Sequence, residues 1–138
     1  MSSPGGLVPS LLHHLAEHLS PLLPAPYSLV TNGLDVSLVQ IVGGRVKVVT
    51  SDHIYGTAAG DKAGVVALCE RVLGDMQDFV AYALRTAWPV DTTGRVLHPW
   101  AELTETHVAM GFRRDEVNGP EIAPFPVPDD PGRVIVAG

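Results

Sequence analysis

The chain has 138 residues, enough for one domain with an ordinary core but not for two. Hydrophobic residues make up 46% and charged residues only 17%, against about 25% charged in typical soluble domains, so part of the uncharged surface is expected to be covered by a partner. The net charge of -6 and the single adjacent basic pair, Arg113-Arg114, argue against a nucleic-acid-binding face, and the single cysteine, Cys69, excludes an intrachain disulfide and a Cys-based zinc site.

All 12 prolines fall between Pro4 and Pro26 or between Pro89 and Pro131, leaving Tyr27 to Trp88 free of proline. Because proline removes a backbone donor and fixes φ, that window is predicted to hold the regular folding unit. The division expected is a flexible arm at 1–9, a single α+β domain at 10–119, and a Pro-rich edge strand or arm at 120–138. The N-terminus lacks a basic region, and Leu7 to Leu23 is interrupted by His13, His14, Glu17 and His18, so neither a signal peptide nor a membrane span is predicted. The expected place of work is the cytoplasm, or a particle such as a virion assembled there.

Ser10 is a candidate N-cap for a short helix in which Leu11, Leu12, Leu15, Leu19 and Leu22 recur at helical spacing, stopped by Pro21 and Pro24. Tyr27 to Thr31, Leu34 to Val42 and Arg45 to Thr50 read as an antiparallel β-meander joined by Asn32-Gly33 and Gly43-Gly44, pairs suited to two-residue turns. With such turns Tyr27, Leu29, Leu34, Val36, Leu38 and Val49 share one face, while Val39, Ile41, Val46 and Val48 share the other. The apolar side therefore switches near Leu38, and Gln40, Arg45 and Lys47 take the face that was apolar at the base. Either a bulge near Leu38-Val39 resets the alternation, or the second hairpin projects and buries its tip against another subunit.

Asp61 can cap a long helix from Lys62 to about Trp88, packed on the sheet through Val65, Cys69, Val72, Met76, Phe79 and Ala83. At ~1.5 Å per residue it would approach about 40 Å, more than a three-stranded sheet can cover, so further strands or a partner must shield it. Trp100 to Arg113 alternates as one long, partly exposed strand, and Asp115 to Gly119 turns the chain. Pro124, Pro126 and Pro128 sit at alternate positions, so this stretch forms either an edge strand that pairs through Phe125 and Val127 or a polyproline-like arm on a neighbour.

Chemistry-bearing patterns are sparse, and no catalytic or cofactor-binding residue is assigned. His14 and His18, at i and i+4 beside His13, could chelate a divalent metal, but two imidazoles leave the ion short of ligands and a solvated polar face is the simpler reading. Gly56 to Lys62 lies where backbone amides can cradle phosphate, yet Asp61 occupies the anion's place and the nucleotide-loop pattern is not met. Asp52-His53 has no nucleophile elbow to serve, Glu102 and Glu105 fall on opposite strand faces, and Trp88 and Trp100 read as packing anchors. Cys69 lies on the apolar stripe, as a buried hydrophobe would.

Low charge, the face switch, the overlong helix and the Pro-rich ends together favour a non-enzymatic subunit that self-associates as a homo-oligomer or docks on other protein chains, without nucleic acid, membrane or cofactor. The candidate interface residues are Val39, Ile41, Val46, Val48, Phe125 and Val127. The runner-up is a small-molecule or metal-binding domain using His13, His14 and His18.

The element order over roughly Ser10 to Val127 resembles that of the small tail-terminator and head-to-tail completion proteins of tailed bacteriophages. That resemblance implies an α+β subunit forming rings through hairpins and sheets, with no catalytic residues. The stretch Val72 to Pro89, containing Met76-Gln77-Asp78-Phe79 and Ala87-Trp88-Pro89, also looks like helices of small actinobacterial proteins, a likeness that implies no function.

Overall fold

A computed structural model describes residues 7–54, 61–115 and 117–127. The first helix, α1 (Leu7–Leu19), buries Leu7, Val8, Leu11, Leu12, Leu15, Ala16 and Leu19. Ser10 therefore lies inside the helix and does not cap it. A single 3₁₀ turn at Ser20–Leu22 carries Pro21. Ser20 fastens the helix end to the sheet, because its hydroxyl donates to the Ala16 carbonyl (2.7 Å) and accepts from the Leu29 amide (2.9 Å).

Strands β1 (Tyr27–Asn32), β2 (Asp35–Val42) and β3 (Arg45–His53) form the expected antiparallel meander in the order β1-β2-β3. The first turn lies one residue later than predicted: Asn32 pairs with Asp35, leaving Gly33-Leu34 as the loop, with φ +63° at Gly33. Sliding the whole turn by one residue preserves the parity, so Leu29 still faces Leu38 and the core face is unchanged. At the second turn Val42 pairs with Arg45, and Gly43 and Gly44 both have positive φ (59° and 78°), as two-residue hairpins favour.

Asp61 caps α2 (Lys62–Leu84) by accepting the Gly64 amide at 2.8 Å. The helix is about 35 Å long at 1.5 Å per residue. It stops at Leu84, before the predicted Trp88, because Arg85 turns left-handed (φ 57°) and the Thr86 amide closes back on the Ala81 carbonyl. Pro89 further disfavours helical backbone at Trp88.

A second three-stranded sheet follows, β4 (His98–Leu103), β5 (His107–Arg114) and β6 (Val117–Pro126), in that order. The single strand predicted over Trp100 to Arg113 is thus a hairpin. Its connection at Thr104 to Thr106 is closed by the Thr104 amide and hydroxyl, both donating to the His107 carbonyl. Leu103 pairs with Val108, so the connection reverses the parity of the alternation: Trp100 lies opposite Gly111, while Ala101 and Leu103 share the face of Val108, Met110 and Phe112. Gly111 is required there, because a Cβ would lie 2.8 Å from the Pro120 carbonyl and 3.0 Å from the Trp100 indole nitrogen.

The Pro-rich stretch is an edge strand, with β6 pairing to β5 from Val117–Arg114 to Pro126–His107. The boundary expected between 119 and 120 falls inside this strand. Helix α2 lies chiefly along the β4–β5 hairpin, and α1 bridges β1 and β6. One continuous core joins α1, α2 and both sheets through Leu12, Leu38, Val72, Met76, Trp88 and Phe112. The second sheet supplies the cover for α2 that the length of the helix demanded.

Candidate functional site

The β2–β3 hairpin contains the bulge that was one of the two readings of the face switch. Leu38 pairs with Thr50 but Val39 pairs with Val48, so Val49 is an extra residue forming a bulge in β3. Below the bulge Val36 and Leu38 are buried in the core. Val49 in the bulge and Ile41, Val42, Val46 and Val48 towards the turn are all exposed, Val46 to 64%, although β1 flanks β2 as far as Gln40 and the Ile41 amide. Every residue of β3 is exposed except the half-buried Thr50.

The pairings Gln40–Lys47 and Val42–Arg45 place the two cations on one face of the tip, while Ile41–Val46 and Val39–Val48 form an aliphatic ladder on the other. Arg45 and Lys47 are the only Lys or Arg in the first sixty residues, so the tip concentrates positive charge on a chain of net charge -6.

The other residues predicted for the interface are buried or half-buried. Val39 is buried. Phe125 is buried in the chain's own core, edge-on to the His14 ring at 5.4 Å between centroids, and Val127 packs partly buried against that core. Edge pairing to β5 and coverage by α1 consume the apolar face of β6, so the exposed candidate surface contracts to the hairpin.

His14 and His18 stack with ring centroids 4.6 Å apart, and Nε2 of His14 bonds the Ala123 carbonyl at 2.5 Å. A carbonyl can only accept, so Nε2 carries the proton and is closed to a metal. Burial lowers the pKa of His14 despite that hydrogen bond, and His18 lowers it further. His13 and His18 both approach Glu17, at 3.7 and 4.0 Å. Among the described residues no group of three His, Cys, Asp or Glu side chains could hold a metal ion.

His53 Nδ1 bonds Asp35 at 2.7 Å, while Ser37 and Ser51 bond each other at 2.7 Å across the strands. Burial pushes the Cys69 thiol up to about 12. Trp88 is a packing anchor, buried against Phe112 with its indole N–H donating to the Leu22 carbonyl at 3.4 Å. Trp100 is half-buried beneath the Arg113 guanidinium, 5.2 Å from its ring centroid. Glu102 lies in β4 and Glu105 in the following turn. The phosphate-loop residues 56–60 lie outside the described residues, and Asp61 fills the helix N-terminus as its cap.

A groove between α2 and the base of β3 was not anticipated. It is a hollow of about 440 Å³ lined by Asp52, His53, Arg71, Asp75, Asp78 and Tyr82 over Ile54 and Phe79; an adjoining hollow of about 390 Å³, between α2 and β4, shares Arg71, Asp75 and Asp78 and adds Glu70 and Pro99. Arg71 bonds Asp75 at 3.0 Å, yet the carboxyl pKa of Asp75 is raised, first by burial and then by Asp78 and Asp52. The spacing of Arg71, Asp75, Asp78 and Tyr82 marks one polar stripe of the helix, a legible signal eclipsed by the apolar stripe opposite.

The described residues thus form an α+β fold of two three-stranded sheets and two α-helices, bearing an exposed aliphatic hairpin and an acidic groove. Comparison of the chain with protein-family models, with curated proteins and with solved structures found no match. No helix among the described residues is long and apolar enough to cross a membrane.

Proposed function

We propose that the protein is a non-enzymatic assembly subunit that associates with further copies of itself through the β2–β3 hairpin. Its most specific form is a component of a phage-type particle or tail. The observation that carries this reading is the β2–β3 hairpin, where Ile41, Val46 and Val48 are exposed on one face, with Val49 exposed at the bulge and Val42 exposed on the face of the cations. Exposed aliphatic surface of this kind marks an interaction site.

The test is Ile41→Asp. Ile41 is 47% exposed and pairs with Val46, so the carboxylate disturbs the surface and leaves the core alone. Dissociation with an unchanged circular dichroism spectrum and melting temperature is expected. An oligomer that survives the substitution would remove the hairpin from the interface.

A further inference from the structure

We infer that the groove between α2 and the base of β3 receives the β2–β3 tip of a second copy of the chain. The inference rests on the self-association proposed above and names the surface that receives the hairpin.

The two surfaces match in charge and in kind. The tip offers two cations on one face and an aliphatic ladder on the other. Asp52, Asp75 and Asp78 line the groove against one guanidinium, that of Arg71, and Glu70 lines the adjoining hollow between α2 and β4. Its floor is apolar, made by Ile54 and Phe79, and Tyr82 stands at its end with 81% of its surface exposed. Beyond Tyr82 the next hollow, about 570 Å³, carries Arg85 instead, so the acidic character ends at that ring. A projecting aromatic beside an apolar floor and a charged rim is the arrangement in which interface energy concentrates.

Geometry forbids the docking within one chain. Arg45 at the tip and His53 at the groove are opposite ends of the same extended strand, about 26 Å apart at 3.3 Å per residue. The tip must therefore leave its own groove empty and enter a neighbour's. Donor and acceptor are different surfaces, so each copy can bind one neighbour through its tip and another through its groove, the heterologous arrangement that closes into rings or extends into filaments.

Charge reversal tests this with light scattering. Asp52 and Asp78 are exposed, so Asp52→Lys with Asp78→Lys changes the groove and spares the core. The pair is expected to raise the concentration needed for half-association at least about tenfold, as like charges meet across the interface. Arg45→Glu with Lys47→Glu is expected to do the same. All four substitutions in one chain restore association, because the reversed tip then meets a reversed groove. Should Ile41→Asp dissociate the oligomer while the groove pair leaves its mass unchanged, the tip docks elsewhere and this inference falls with the assembly reading intact. A wild-type chain monomeric throughout overturns both.

Discussion

Gln77 is the only buried polar residue among the described residues, 7% exposed, and its amide nitrogen donates to two carbonyls, Leu97 at 2.7 Å and Trp88 at 3.3 Å. Those carbonyls belong to the segment between α2 and β4, so one side chain fastens the whole connection to the helix. Gln77→Leu keeps the volume but leaves both acceptors without their donor. At about 1–3 kcal/mol for a buried group stripped of its partner, less what relaxation recovers, the expected cost is about 2 kcal/mol. For a domain of this length that lowers the melting temperature by roughly 6–8 °C, read by scanning calorimetry.

Gln77→Glu adds a sign to the test. A carboxylate facing two carbonyls is repelled and desolvated, so its pKa in the folded chain rises above the unfolded value of about 4.3. The added penalty is absent below that value, grows as pH rises through the folded pKa and is complete above it. The gap in melting temperature between Gln77→Glu and wild type should therefore narrow from pH 7 to about pH 4.5. An unchanged melting temperature for Gln77→Leu, or a gap for Gln77→Glu that does not narrow, would refute the stapling role.

Three further outcomes follow from the packing. Burial depresses the pKa of His14 below 6.5, so the unfolded chain binds protons that the folded chain does not; stability should fall as pH drops below that value, and His14→Gln should flatten this part of the pH–stability curve. The Cys69 thiol, raised to about 12, should resist a thiol-reactive chromophore in the native protein and react fully in denaturant; rapid native labelling would contradict its burial. Gly119→Ala would place a Cβ 2.5 Å from Leu97 Cδ1 and 2.8 Å from the Phe112 carbonyl, and overpacking of this kind costs about 1–3 kcal/mol, measurable by urea denaturation.

What was legible in the sequence is what is decided locally. Gly43-Gly44 fixes its turn through two positive φ angles, Asp61 caps α2 through one hydrogen bond, and the alternate prolines confine β6 to an edge. The β4–β5 hairpin was hidden because its turn, Thr104-Glu105-Thr106, contains no Gly, Pro, Asn or Asp to mark the point where the core-facing parity passes from Ala101 and Leu103 to Val108, Met110 and Phe112. The bulge at Val49 was foreseen as one of two alternatives, while the exposure of the tip depends on how far the rest of the chain reaches. Phe125 was misplaced for the same reason, since its cover comes from α1, more than a hundred residues earlier. The groove joins Asp52 of β3 to a stripe of α2, a juxtaposition that only the folded chain reveals.

The most direct test of self-association is the mass of the wild-type protein in solution, measured by light scattering across a concentration series at physiological salt. The account predicts a mass that rises to a multiple of 14.6 kDa. A strict monomer over the whole series would contradict it.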